Sequence, residues 1–337
     1  MADALRIAIL GAGGLGKGML SRVALAPDFK TVAIVDRDAY VFDAEGIAED
    51  SIYGVTHLKD HADSIESSEP ILNLFKTHAD DIDVVFVALP NLPVDFIPGV
   101  AQQIATQTRF KGVIVDALKR TRAVEAMMAL DETLQKAGIL YITGAGATPG
   151  FLSTIAAVAA QSFVEVTHVD IRFGVGIANW CGYRATIRED FIHLAGFDAE
   201  KVAHMTDTEI EAELEKRNGL LELNNMEHAD DIILELAGIC RRDQVTVGGI
   251  VDTRNAKKPI STQVTITGLT TLGVEASHVM TLSDDTTMVD NVCGPALGFL
   301  RQGIRMQHHG QSGVLTSANL MPRGPLQPAL VPVPTSL

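Results

Sequence analysis

A short apolar run, Arg6-Ile7-Ala8-Ile9-Leu10, ends in Gly11-Ala12-Gly13-Gly14-Leu15-Gly16. The chain then carries Leu15, Met19 and Val23 on one helical face and stops before Pro27. A strand that closes in G-x-G-x-x-G and opens directly into a helix has little freedom. The first glycine permits the tight turn, the second lets the backbone approach a ligand without a Cβ in the way, and the third lets helix and strand pack closely. The helix start also offers unpaired N–H groups to phosphates. The next apolar run, Thr31 to Val35, ends at Asp36, twenty residues past Gly16. A carboxylate at that place accepts ribose hydroxyls. Together Gly11, Gly13, Gly14, Leu15, Gly16 and Asp36 predict a dinucleotide site. Asp36 repels a 2′-phosphate and favours NAD, while the guanidinium of Arg37 can meet that phosphate and keeps NADP open.

Further apolar runs follow at Asp83 to Ala88, Gly112 to Val115 and Ile139 to Thr143, with helix-like segments between. Continuous apolar runs separated by helices indicate parallel strands covered on both faces. Residues 1–150 therefore read as a doubly wound parallel sheet of the Rossmann type. A third strand is expected near Val55 and a helix near Pro70 to Lys76. After Pro149-Gly150 the pattern changes. Phe151 to Ser162 reads as a buried helix, and alternating stretches follow at 164–173, 244–251, 263–267 and 278–282. Alternation indicates a mostly antiparallel sheet with one solvated face, so 151–285 is expected to form a second domain of α+β type. Arg254 to Pro259 reads as a hairpin turn. Met288 to Arg305 reads as a helix broken or kinked at Gly294-Pro295, and 286–320 is expected to pack back on the first domain. Residues 321–337 hold Pro322, Pro325, Pro328, Pro332 and Pro334, a tail too rich in proline for helix or sheet.

Length and charge exclude several classes. With 337 residues two domains are expected, and 47% hydrophobic against 20% charged residues excludes a disordered chain. Lys plus Arg is 27 and Asp plus Glu 42, a net charge of -15 that repels nucleic-acid backbones and anionic membranes. Cys181, Cys240 and Cys293 are odd in number and far apart, which fits a reducing cytoplasm rather than a disulfide framework. Met1 to Arg6 lacks a basic segment followed by an apolar run, so no signal peptide is read. The apolar stretch Phe151 to Ala160 is too short to span a bilayer. A cytoplasmic location is expected. The strand-rich second sheet has an edge to protect, and a homodimer through 160–285 is the expected solution.

In open α/β sheets ligands lie beyond the carboxyl ends of the strands. Ala88-Leu89-Pro90, Asp116-Ala117-Leu118-Lys119 and Gly144 to Gly150 leave three such ends. Ala88, Leu89, Pro90 and Ala117 are expected along the cofactor, as are Gly146, Thr148 and Pro149 in the small-residue segment, which also suits a hinge. Lys119 is the candidate proton donor. Burial lowers a lysine pKa toward the working range, whereas a facing carboxylate raises it. Asp116 is expected as its partner or as a helix cap. The alternative is a solvated cluster with Arg120 and Arg122. For substrate, Trp180 and Arg184 in Trp180-Cys181-Gly182-Tyr183-Arg184 are candidates, with Arg172 and Arg188 as further guanidiniums for a carboxylate. His168, His193 and His278 are scattered, with no pair at metal-ligand spacing, so no metal is expected. Cys181 reads as an inert thiol.

This constellation resembles the saccharopine dehydrogenase-like oxidoreductases. The resemblance is carried by Gly11 to Gly16, Val87-Ala88-Leu89-Pro90, Val115-Asp116-Ala117, Gly144-Ala145-Gly146-Ala147-Thr148-Pro149-Gly150-Phe151 and Asn291 to Ala296, and is closest over residues 5 to 155. It implies hydride transfer between a nicotinamide cofactor and the imine of an amino acid- or polyamine-derived substrate. The Asp-Ala-Leu-Lys stretch is also similar to homoserine dehydrogenases, which implies a carbonyl or semialdehyde reductase instead. A protein that senses NAD(H) without turnover is the alternative of another class.

Overall fold

The computed structural model describes residues 4–325 apart from 92, 179 and 283–285. Apolar runs buried on both faces build the first layer. β1 (Leu5–Leu10), β2 (Phe29–Val35), β5 (Val84–Val87), β6 (Val113–Asp116) and β7 (Leu140–Thr143) are parallel neighbours. The acidic stretch after Asp36 supplies β3 (Ala39–Phe42) and β4 (Ser64–Glu66), which extend the sheet antiparallel beyond β2. The strand expected near Val55 is absent. That residue follows a short helix, and the strands on either side pair with each other instead. The expected helix is present as Pro70–His78, with proline in its first turn where a missing N–H costs nothing.

The second layer is a sheet of five strands, β8 (Glu165–Gly176), β9 (Leu220–Leu223), β10 (Val245–Asp252), β11 (Thr262–Leu269) and β12 (Glu275–Leu282), in the order β12-β11-β8-β10-β9. Three pairings are antiparallel and β8–β10 is parallel. Arg254 to Pro259 is therefore not a hairpin turn, because β8 lies between β10 and β11 and the segment crosses it. Val169, Ile171, Val264 and Ile266 are fully buried and join the core that holds Leu152 and Ala156 of the helix Phe151–Ala160. The opposite face is polar, with His168, Thr246 and Asp170 linked by hydrogen bonds.

The chain then returns to the first layer. The helix Met288–His308 runs unbroken through Pro295 and packs on the helix Gly14–Ala24 and on β6. Arg301 inside it grips Asp28 through Nε and Nη2 at 2.6 and 2.9 Å and stacks over Phe29. β13 (Gly313–Thr316) then pairs parallel with β7, giving the order β13-β7-β6-β5-β1-β2-β3-β4. Among the described residues no helix is long and apolar enough to cross a membrane.

Strand order reverses between β1 and β5, so the crevice opens at their carboxyl ends. Its geometry depends on Gly16, where an added Cβ would stand 1.7 Å from the Gly11 carbonyl oxygen. Gly16→Ala is expected to lower the thermal midpoint by the equivalent of about 1–3 kcal/mol, the usual cost of overpacking. Gly54→Ala, with open space around it, is expected to change it little; calorimetry of both variants checks the contrast.

Candidate active site

The glycine loop is shaped by what each glycine touches. Gly11 has φ +111°, and a Cβ there would lie 2.4 Å from the Ala88 oxygen. Gly14 sits beneath the Tyr183 ring, 2.7 Å from an added Cβ. Gly13 has nothing within 4 Å of that position, so a side chain there would project into the open crevice. That is the close backbone approach a pyrophosphate needs, followed by the free N–H groups of the first helical turn. The crevice, about 680 Å³, is lined by Gly11, Gly13, Gly14, Leu15, Asp36, Arg37, Ala88, Leu89, Pro90 and Ala117. The residues fit a dinucleotide. Gly16 supports the loop from behind rather than lining it.

Asp36 carries a load that its position in the sequence does not announce. Its Oδ1 accepts the Asp38 and Ala39 N–H groups, both at 2.9 Å, and its Oδ2 accepts the Leu58 N–H at 2.8 Å. It ties the turn into β3 to the segment at Leu58 as well as lining the crevice. Arg37 is exposed and pairs, among the described residues, with its neighbour Asp38 at 3.1 Å.

A second cavity, about 190 Å³, adjoins the first; Leu15, Asn91, Ala117, Tyr183 and Thr186 line both. Its walls are apolar, with Phe173, Val175, Ile177, Met226 and Met288, and Gly146, Thr148 and Pro149 line it rather than the crevice. Lys119 lines it too. The lysine backbone N–H donates to Asn91 Oδ1 at 3.2 Å, while Nζ lies 3.0 Å from Asp190 and 3.5 Å from Glu189. Both carboxylates come from the helix Arg184–Phe191 that follows β8. The solvated cluster is excluded: Arg120 is buried, Lys119 is largely covered and only Arg122 is exposed. Arg120 pairs with Glu189, contacts His193 and donates to the Glu227 carbonyl at 3.2 Å.

Two expectations about Lys119 are corrected. Its partner is not Asp116. That carboxylate is wholly enclosed, with Oδ1 accepting the Leu118 N–H at 3.0 Å and the Gly144 N–H at 2.7 Å and Oδ2 accepting Thr143 Oγ1 at 3.0 Å. It is neither a catalytic group in the cavity nor a helix cap, but a tie between the exits of β6 and β7. Nor is the lysine pKa lowered. Burial works against the ammonium, but Asp190 and Glu189 outweigh it and hold Lys119 above the ordinary lysine value. Burial, then the Arg120 and Lys119 cations, push the His193 pKa down to about 4.

The substrate candidates of the second layer fare differently. Trp180 is buried in the core, its Nε1 donating to Glu211 at 2.5 Å. Arg172 lies on the solvated face of β8, near Asp170 and Asn224. Neither lines the crevice or the inner cavity. Arg184 borders the crevice, 3.3 Å from Asp207, and Arg188 is spent on Asp207 and the Val202 and Met205 carbonyls. The residue that sequence reasoning missed is His228. It lines the inner cavity with its ring against Phe173, and its Nδ1 is 2.7 Å from Asp230 Oδ2. Asp230 is fully buried and also accepts Thr148 Oγ1 at 2.6 Å and the Ser153 hydroxyl. With Nδ1–H donating, Nε2 has no hydrogen-bond partner among the described residues. The only signal was His228-Ala-Asp230 at a helix start, a spacing too common to single out.

No family model matches the chain. The (S)-8-amino-7-oxononanoate synthase BioU of Haloferax mediterranei is 40% identical over 353 residues, covering 95% of this chain and 99% of that protein. Among solved structures, an engineered D-amino acid dehydrogenase bound to NADP+ aligns with a TM-score of 0.57 at 21% identity over 95% of both chains. The DAP dehydrogenase of C. glutamicum in complex with DAP gives 0.54 at 20%, over 95% of this chain and 94% of that one. Apo saccharopine dehydrogenase (L-Glu forming) of Saccharomyces cerevisiae gives 0.54 at 13%, over 94% of both chains. At these identities the resemblance to saccharopine dehydrogenase holds for the fold, and the closer sequence relationship is to the synthase.

Burial raises the Asp116 pKa to about 6, against the hydrogen bonds from Gly144 and Leu118. A carboxyl raised on folding binds more protons in the native state, so it favours the fold at low pH, and that contribution fades as pH rises from about 4 to about 6. Asp116→Asn keeps an acceptor for both backbone N–H groups and does not titrate. Over that window the wild type is expected to lose stability relative to the variant, by up to roughly 3 kcal/mol, as read from denaturant midpoints.

Proposed function

We propose, from the chain's membership of the family of the (S)-8-amino-7-oxononanoate synthase BioU, that it is an NAD(P)-dependent oxidoreductase acting on an amino-oxo carboxylic acid of that class. The family follows from the identity and coverage of the relative. The chemistry rests on one observation: Lys119 and the Asp230-held His228 converge on an apolar cavity that opens into the glycine-loop crevice. When bound, the nicotinamide supplies or accepts a hydride at the carbon carrying the substrate oxygen or nitrogen.

The chain's own residues do the remaining work. The backbone of Gly13 and the first turn of the helix Gly14–Ala24 hold the pyrophosphate. Asp36 favours the ribose diol of NAD, and Arg37 is placed to meet a 2′-phosphate, so NAD is preferred and NADP tolerated. Lys119 brings a hydrogen-bond donor to the substrate heteroatom. Asp190 and Glu189 hold it protonated before substrate binds. His228 suits the proton transfer, since Asp230 fixes its tautomer and leaves Nε2 for the substrate. The apolar walls exclude water and accept a methylene chain. His228 would hand over the proton that accompanies a reduction and take it back in the oxidation.

The direct test incubates the full chain with reduced nicotinamide and 8-amino-7-oxononanoate and follows nicotinamide absorbance. Nicotinamide turnover with the product trapped by mass spectrometry is expected; intact cofactor binding without any turnover over a panel of amino-oxo acids favours the sensing alternative. Lys119→Met and His228→Asn are each expected to lower kcat by about 10²–10⁴-fold while leaving NADH affinity nearly unchanged. Gly13→Val is expected to abolish NADH binding by calorimetry without unfolding the chain, since its side chain points only into the crevice.

The reading extends to assembly. β12 is an edge strand exposed along most of its length, with Leu272, Val274 and Val279 uncovered beside or within it. A second copy pairing across a two-fold covers that edge. Light scattering is expected to return a dimer mass at micromolar concentration, and a monomer mass overturns this part.

A further inference from the structure

We propose that the Lys119–Asp190 pair is a recognition site for a primary ammonium group on the substrate, and that an ammonium seated on Asp190 expels one proton from the site. The proposal rests on reading the inner cavity as the substrate cavity. Lys119 and Asp190 both line it, 3.0 Å apart. Asp190 Oδ1 takes the lysine, while Oδ2 accepts no hydrogen bond among the described residues. An entering cation therefore finds a carboxylate with one oxygen uncommitted, at the wall of an apolar space.

The charge count turns occupancy into a proton balance. Four charged groups meet here, two carboxylates and two cations. Glu189 is already matched by Arg120 and also takes Asn91 Nδ2 at 3.4 Å. Asp190 is matched by Lys119. His193, at the end of the same helix, stays neutral between the cations. Across the cavity Asp230 is occupied by His228, Thr148 and Ser153, and Asp116 lies enclosed behind β6. No spare negative charge remains for a third cation. Burying an unmatched charge against Phe173, Ile187 and Met226 is costly, and the group sheds a proton instead. Arg120 cannot release one. Lys119 can, because the incoming ammonium takes over Asp190, the nearer of the two carboxylates that hold it protonated, and Glu189 is already matched by Arg120. The ammonium keeps its proton, Lys119 becomes a neutral amine, and one proton passes to the solvent. A substrate without an amino group leaves Lys119 charged. The site thus makes the amine a condition for neutral Lys119 beside the cofactor crevice.

Calorimetry of the full chain near neutral pH, in two buffers of contrasting ionisation enthalpy, tests this. The probes are 8-amino-7-oxononanoate, the same oxo acid without its amino group, and hexylamine. Both amines are expected to bind with release of about one proton, and the deamino acid with none. Asp190→Asn is expected to weaken the amines at least about tenfold, or 1.4 kcal/mol, and to leave the deamino acid unaffected. Lys119→Met is expected to bind the amines without proton release and no more weakly than the wild type. Amine binding that is independent of buffer, or insensitive to Asp190→Asn, overturns the proposal. Binding of both oxo acids without proton release, with no binding of hexylamine, overturns the ammonium site and leaves the proposed function standing. Binding of hexylamine with proton release but of neither oxo acid leaves the ammonium site and overturns the proposed substrate. No binding of any probe overturns both.

Discussion

Two turns that line the inner cavity leave the first sheet side by side, and one buried carboxylate holds them together. Asp116 ends β6, and its two oxygens reach Leu118 on its own exit and Thr143 and Gly144 on the exit of β7. A carboxylate without solvent contact is expensive, and the N–H groups of Gly144 and Leu118 with the Thr143 hydroxyl offset part of that cost. The arrangement fixes where Lys119 leaves the sheet and where the segment Gly146 to Pro149 begins. The site is thus built on the sheet itself, and the second layer delivers Glu189 and Asp190 to a lysine already in place.

The parts most legible in sequence are those in which local pattern and chemistry say the same thing. Gly11 to Gly16 could be read because each glycine meets a backbone or leaves a gap that only glycine allows. The apolar runs of β5, β6 and β7 could be read because both faces are buried. Lys119 could be placed at a strand exit, since strand order places the exits at the crevice. What could not be read depends on partners distant in the chain. Asp116 and Lys119 are close in sequence yet face different ways, and the lysine finds its counter-ions some seventy residues later, at Glu189 and Asp190.

His228 shows the same limit. Nothing near it in sequence distinguishes it from His168 or His278; its value comes from a buried Asp230 and from Thr148, eighty residues upstream. Trp180 failed in the opposite direction. Rarity in the composition drew attention to it, whereas its size and its Glu211 partner make it a core residue. β3 and β4 went unread because the acidic stretch is short of the uninterrupted apolar runs that mark a central strand.

The return of the chain through Met288–His308 and β13 means that the nucleotide-binding layer is discontinuous. β7 acquires its outer neighbour only from residues 313–316, and Val113 and Ile142 are covered by the helix at Gly303. During synthesis the first half therefore emerges with an open sheet edge and an uncovered apolar face. It must wait for the whole second layer before it can close. Contacts this distant in sequence slow folding and prolong exposure of that edge. The ribosome, and whatever shields nascent chains, meets a half-built sheet for most of the time the protein takes to be made.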